Sequence, residues 1–329
     1  MEPDGQQPSP LVLEPLAQRL LDASSAPPFL HELPPAAGRQ VLRESQVERI
    51  EDFAVDAVFQ VAPVGPSGLV GFWLFRPAGS QGPLPALLYA HGGRWMLGDA
   101  HTHARLISDL VVGAGVAAVV PEYSRTPEAR YPVAVEECYA LLSWVTGHAA
   151  ELGLDAGRLA VGGDCAGATL AIALTLLAKS RGGPDLSAQL LYYPITDARC
   201  ASASQRQFAD GYLLTRQALR AYWRHYSDDP RRLAEPTASP ARASTAQLAG
   251  LPPALVITAE ADVTRDEAEQ YARRLRRAGV AVTAARYLGT VHDFVSLTGL
   301  RDSPSTRAAV RQGAAFLRER LRGANQSTD

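Results

Sequence analysis

The sequence predicts an α/β fold with a mainly parallel sheet, and three observations carry that prediction. Short apolar runs of strand length recur along the chain, at 85–90, 116–120, 158–161, 189–193, 254–258 and 283–287. Between them lie longer segments of helical periodicity, such as 134–148, 168–178 and 267–278, and this alternation is the mark of βαβ units. The runs are apolar at successive positions rather than at every second one, as expected of strands covered on both faces.

Taken in order, residues 1–10 are acidic and rich in Pro and Gln, with neither a basic n-region nor an apolar h-region, so no secretory signal is expected. Leu16, Leu20 and Leu21 fall at helix-like spacing before the Pro27-Pro28 and Pro34-Pro35 breaks, which predicts a helical flank or lid. Runs at 54–61 and 69–75, bounded by Gly/Pro turns, are expected to pair as an antiparallel hairpin ahead of the parallel strands. The rhythm breaks over 198–250, where a helix-like 215–226 precedes a Pro/Ala/Ser-rich connection. The expected organisation is an N-terminal cap segment at 1–50, a core at 51–197 and 246–323, a cap insertion at 198–245 and a tail at 324–329.

Composition points to small-molecule chemistry. With 329 residues, 47% hydrophobic and 20% charged, the chain has enough apolar content for a sizeable core. A net charge of −2 offers no global field for nucleic acid or an anionic membrane, and no apolar run approaches the ~20 residues of a membrane span. The cysteines Cys138, Cys165 and Cys200 are widely spaced, which fits a reducing compartment and a cytoplasmic protein better than a disulfide framework. No Cys/His cluster has zinc-ligand spacing, so no metal site is expected.

The strongest local signal is Gly163-Asp164-Cys165-Ala166-Gly167, which follows the strand-like 159–161 and opens the helical run 168–178. Strand, sharp turn and helix in that order are the context of a nucleophile elbow. The glycines have a mechanical reason: the turn strains its central residue and leaves no space for side chains two positions to either side. A sulfur at the tip sits at a helix N-terminus, whose dipole favours negative charge. Alone, Cys165 also has the reading of a buried structural cysteine on a glycine-rich turn, with the functional reading favoured. His91-Gly92-Gly93-Arg94-Trp95 directly follows the strand at 86–90 and has the form of a loop that aims backbone N–H groups at a developing oxyanion. Further on, an apolar strand ends at Asp262, and Gly289-Thr290-Val291-His292-Asp293-Phe294 presents a histidine from a turn. An isolated Asp at a strand end is usually a helix cap and a lone loop His usually solvated, but nucleophile, acid and histidine in this order match the α/β-hydrolase arrangement.

Through these motifs the sequence resembles the hormone-sensitive-lipase-like esterases, bacterial family IV of the α/β-hydrolases. The resemblance is carried by His91-Gly92-Gly93, by Pro121-Glu122-Tyr123-Ser124-Arg125-Thr126-Pro127-Glu128 in place of the family's D-Y-R-L-A-P-E, and by Gly163 to Gly167. Phe208-Ala209-Asp210-Gly211-Tyr212, Ser239-Pro240, the Asp262 strand and Gly289 to Phe294 extend it over roughly 50–320. It implies an α/β-hydrolase fold with an eight-stranded, mostly parallel sheet flanked by helices and a helical cap. It also implies no cofactor, and acyl chemistry on a small-molecule substrate. Cys165 stands where the family carries its nucleophilic serine, His292 where it carries the base and Asp262 where it carries the orienting acid. The oxyanion donors implied are Gly92, Gly93, Arg94 and Ala166. Arg94 departs from a family glycine: its amide can still donate, but its side chain must point away, toward an acidic substrate group or a cap carboxylate.

Sulfur at position 165 opens alternatives. A thiol is partly ionised at neutral pH and attacks readily, giving a thioester acyl-enzyme that amines and other good nucleophiles discharge. The readings are a carboxylesterase- or thioesterase-type hydrolase; an acyltransferase or cyclase passing the acyl group to an amine, alcohol or carbon nucleophile; a Ser→Cys variant made to trap an intermediate; and a non-catalytic binder, against which the retained Asp262 and His292 argue. Trp95 and Tyr212 are candidates for lining an acyl pocket, whereas Trp223 and Tyr226 are expected to pack and His101 and His103 to be polar residues at a helix start. Cys138 and Cys200 are read as structural. Family members pair through an edge strand or the last helix, here 305–322, which allows a homodimer. The basic run Arg273-Arg274-Leu275-Arg276-Arg277 is read as a solvated helix face in preference to a dock for an anionic acyl-carrier protein.

Overall fold

Strands form where the apolar runs place them. The computed structural model describes residues 11–322, so the first ten residues and the tail expected at 324–329 lie outside the described residues. Helices α1 (Pro15–Ala23) and α2 (Pro35–Ser45) come first, followed by β1 (Val55–Ala62), β2 (Val70–Pro77) and β3 (Leu84–Ala90). Then come α3 (Ala104–Ala114), β4 (Ala117–Pro121), α4 (Val133–Gly147), β5 (Leu154–Asp164), α5 (Ala166–Arg181) and β6 (Ala188–Tyr192). Between β6 and the next strand lie α6 (Ala203–Gln207), α7 (Arg216–Tyr226), α8 (Pro230–Leu233) and α9 (Thr245–Leu248). The chain closes with β7 (Ala254–Ala261), α10 (Arg265–Arg277), β8 (Val282–Val291) and α11 (Pro304–Arg320).

The eight strands make one sheet in the order β1-β2-β4-β3-β5-β6-β7-β8. β2 runs antiparallel to both β1 and β4, and the remaining neighbours are parallel. Between β3 and β5 the winding reverses, since the chain steps outward from β3 to β4 and returns to β5 on the other side of β3. In an open α/β sheet, ligands bind in the crevice beyond the carboxyl ends of the strands at such a reversal, and both the His91 loop and the Cys165 turn leave the sheet there.

β3, β4 and β6 are buried along nearly their whole length, which is why their sequences run apolar without alternation. Helix α5 is buried at every position from Ala166 to Ala178. It packs on β3, β5, β6 and α4, and a helix enclosed on all sides has no polar stripe. The edge strand β1 has the opposite pattern, with Val58, Phe59 and Val61 about half exposed.

One buried carboxylate ties the exit of β6 to α10. Glu267 accepts hydrogen bonds from the backbone N–H of Thr196 at 2.8 Å and of Asp197 at 3.2 Å, and from Gln205 Nε2 at 3.3 Å. Burial outweighs these donors and pushes its pKa up to about 8. The sign follows from linkage. The folded state keeps the proton up to about 8 while the unfolded chain loses it near 4.5, so stability present at low pH is lost as pH rises between those values. Glu267→Gln copies the protonated acid, and it is expected to flatten the fall in urea stability between pH 5 and pH 8 by on the order of a few kcal/mol. Equal slopes for both proteins would sink this account.

Candidate active site

The turn from β5 into α5 holds Cys165 at φ 53 and ψ −122, outside both ordinary regions. The Cys165 N–H donates to Tyr192 O on β6 at 2.9 Å, and its carbonyl accepts the first-turn N–H of Thr169 at 3.3 Å, so both sides of the strained residue are anchored. Two glycines make room for this. A Cβ on Gly163 would lie 2.5 Å from Ala90 O, and one on Gly167 would lie 1.9 Å from the same atom. The elbow and the end of β3 therefore touch backbone to backbone.

Asp262 leaves the end of β7 and His292 the end of β8, and adjacency of these strands brings the two side chains together. His292 Nδ1 lies 2.7 Å from Asp262 Oδ2. Asp262 is held in turn by the Thr264 N–H and hydroxyl, each at 2.8 Å. Donation from Nδ1 leaves the lone pair of the neutral imidazole on Nε2, a buried atom without a hydrogen-bond partner among the described residues. The Cys165 sulfur, a His292 nitrogen and a carboxylate oxygen of Asp293 all lie within 4.8 Å of one another. Burial opposes charging His292, but Asp262, the Cys165 sulfur and Asp293 outweigh it, and its proton affinity is raised well above that of a free histidine. Cys165, Asp262 and His292 are all fully buried.

In the His91 loop, Gly93 (φ 107), Arg94 (φ 54) and Trp95 (φ 60) all have positive φ, and the N–H groups of Met96 and Leu97 close the turn onto Gly93 O. Among the described residues the N–H groups of Gly93, Arg94 and Ala166 have no protein acceptor. Gly92 differs from the expectation that it donates to an oxyanion. Its N–H already donates to Asp164 Oδ1 at 3.0 Å, which leaves three free donors rather than four.

Trp95 is fully buried and stacks on Tyr226 at 4.2 Å between centroids and 17° between planes, with Trp223 at 4.6 Å. These contacts pack α7 against the loop. On the other side Arg39 of α2 donates to Met96 O at 2.8 Å and Thr126 O at 2.9 Å, and forms a paired contact with Glu128. Tyr212 is half-buried and meets Phe208 of its own segment edge-on at 5.1 Å.

Known proteins share this architecture. A family profile described as the alpha/beta hydrolase fold matches residues 87–296. The chain belongs to that family. It is 35% identical to Esterase LipI of Mycobacterium tuberculosis over 277 residues, covering 84% of this chain and 83% of that protein. Carboxylesterase NlhH of the same organism is 37% identical over 244 residues, covering 72% and 74%. A solved thermostable esterase from Pseudomonas putida superposes with a TM-score of 0.91 at 41% identity, covering 96% of this chain and all of that one. The protein is thus an enzyme of the alpha/beta-hydrolase type.

Two pairs in this hydrolase were not visible in its sequence. Asp164, inside the elbow motif, lies fully buried against His103, with Nε2 at 3.4 Å, and accepts the Tyr89 hydroxyl at 2.8 Å. Burial disfavours both charges, yet each offsets the other: Asp164 is held below the usual carboxylate range and His103 above the usual imidazole range. His91 is pushed by burial, and then by the charge of His103, down to about 3 and stacks neutral on Tyr123 at 4.3 Å. His103 does begin α3, but a polar residue at a helix start carries no mark of being buried.

The second pair is Arg94 with Asp293. Both are buried, and the guanidinium bonds one carboxylate oxygen while the other lies 3.4 Å from His292 Nε2. The Arg94 side chain thus points at a core carboxylate next to the histidine. Linear spacing gave no metal site, but the fold assembles Cys165, His292 and Asp293 into a set of possible donors. Cys138 and Cys200 are buried and unpaired, and burial raises both thiols, Cys200 up to about 12.

Proposed function

We propose that this hydrolase is an esterase- or thioesterase-type enzyme working through a Cys165-His292-Asp262 triad. The observation that supports it is the strained Cys165 with its sulfur within 4.8 Å of a His292 nitrogen, together with the Nδ1 bond of His292 to Asp262 at 2.7 Å. His292 Nε2 takes the thiol proton as Sγ attacks the substrate carbonyl carbon. The oxyanion is met by the N–H groups of Gly93, Arg94 and Ala166, donors of a kind that each contribute about 3–4 kcal/mol to the transition state. Collapse expels the alcohol or thiol, which takes the proton from His292 and leaves a thioester on Cys165. Water, deprotonated by the same nitrogen, then releases the acid. Asp262 keeps His292 in the tautomer this requires. Asp262→Asn is expected to lower kcat about 10⁴-fold, with turnover of an activated ester as the readout; wild-type turnover would remove Asp262 from the triad.

Helices of 11–50 and of 198–245 are read as the cap. Support comes from Arg39 on one side of the loop and the Trp95–Tyr226 stack on the other. A second reading, acyl transfer to an amine or alcohol, is favoured by the sulfur and by burial of all three groups, which keeps bulk water from the thioester. Product analysis with an activated ester, with and without an amine acceptor, separates the two. Free acid alone means hydrolysis, and amide formed in proportion to acceptor means transfer.

A further inference from the structure

We propose that Cys165, His292 and Asp293 form a binding site for a thiophilic divalent cation of the zinc class, which reversibly closes the active site. The donors are a thiolate sulfur, an imidazole nitrogen and a carboxylate oxygen, the mixture that zinc takes in sites with three protein ligands and an open fourth position. All three residues are buried and their donor atoms lie within 4.8 Å of one another.

His292 supplies the independent observation. Its Nε2 is buried without a hydrogen-bond partner among the described residues, while Nδ1 is bonded to Asp262 at 2.7 Å. A carboxylate behind the far nitrogen is the arrangement that orients a metal-binding histidine. Nε2 and Asp293 Oδ1 are 3.4 Å apart, which matches the edge of a tetrahedron with two bonds of about 2.1 Å. The sulfur reaches its own corner by a side-chain movement of about 1 Å, since a bond of about 2.3 Å puts it roughly 3.6 Å from the nitrogen.

Charge fits as well. With the thiol proton released on binding, Cys165, Asp293 and Asp262 carry three negative charges against the one positive charge of Arg94. The balance suits a dication, and the Arg94 bond to the other Asp293 oxygen fixes the carboxylate's orientation. A bound ion occupies the sulfur and Nε2 together, removing nucleophile and base at once. A serine at position 165 would offer only a weak neutral oxygen, so the site depends on the sulfur.

The test uses cobalt(II) titrated into the metal-free full chain and followed by absorption. One equivalent is expected to give a thiolate-to-cobalt charge-transfer band in the near ultraviolet with intense tetrahedral visible bands. Cys165→Ser should abolish the charge-transfer band, Asp293→Asn should weaken binding at least tenfold, and the double variant Cys138→Ser/Cys200→Ser should keep the spectrum. Zinc should displace the cobalt and protect Cys165 from iodoacetamide until a chelator is added, which needs no variant to fold. Absence of the band at saturating cobalt, its survival in Cys165→Ser, unchanged affinity in Asp293→Asn, or alkylation of Cys165 unaffected by zinc would each overturn the proposal. None of these readouts needs acyl turnover, so failure here is distinguishable from failure of the triad.

Discussion

Cys165→Ala is expected to lower kcat for activated esters about a millionfold, the loss seen when the nucleophile of such a triad is removed. The variant should fold. Cys165 is buried, but alanine removes one atom from a turn whose geometry is held by the Tyr192 and Thr169 bonds to its backbone, and among the described residues no side chain hydrogen-bonds the sulfur. Cys165→Ser is the sharper comparison. Serine fits the same turn, and in the proposed triad His292 with Asp262 is the base an oxygen nucleophile needs. Hydrolysis of plain alkyl esters should therefore persist or rise, while capture by an added amine should fall, because an oxygen ester is a poorer acyl donor than a thioester. The kinetic pair, hydrolysis and aminolysis rates for both proteins, checks this. An alanine variant with wild-type turnover would move the chemistry elsewhere.

The second large effect is structural. In Gly167→Ala the new methyl would sit 1.9 Å from Ala90 O and 2.5 Å from His91 O. These are backbone atoms at the end of β3, so no side chain can swing aside. Either α5 lifts from the sheet or the His91 loop moves, and a shift of about 1 Å in a positioned group costs on the order of 10²-fold in rate. Overpacking of a core contact adds roughly 1–3 kcal/mol or more of destabilisation. We expect a melting temperature lowered by several degrees, with activity reduced at least a hundredfold in the fraction that folds. Gly147→Ala, at a helix end with open space around it, serves as the control: it should leave activity unchanged and lower the melting temperature not at all, since alanine favours the helix there. A stable, active Gly167→Ala would show that the elbow and the loop are not in contact.

How much of this could be read from the chain differs from element to element. All eight strands were legible, because buried strands are apolar runs bounded by turns, and even the β1–β2 hairpin followed from its Gly/Pro boundaries. Order across the sheet was not: β4 lies between β2 and β3 because of crossover connections, which leave no local pattern. At the site, the Cys165 turn, the Asp262 strand end and the His292 turn each had a motif, and chain order linked them.

The rest depends on distant partners. Gly92 reads like a donor until Asp164 is found beneath it. Trp95 reads equally as pocket or packing until Tyr226 stacks on it. Arg94 and Asp293 are separated by 199 positions, so neither side chain's direction could be derived. Cys165 stands more than a hundred positions before His292 and Asp293, so linear spacing does not show that the ends of β5 and β8 bring them together.

The most direct test of the central claim is intact-protein mass after brief exposure of the metal-free enzyme to an activated ester, followed by peptide mapping. The expected result is a mass increase of one acyl group, located on the peptide containing Cys165, labile to hydroxylamine and absent from Cys165→Ala. Turnover of the ester without any adduct on that peptide, or an equal adduct in Cys165→Ala, would contradict it.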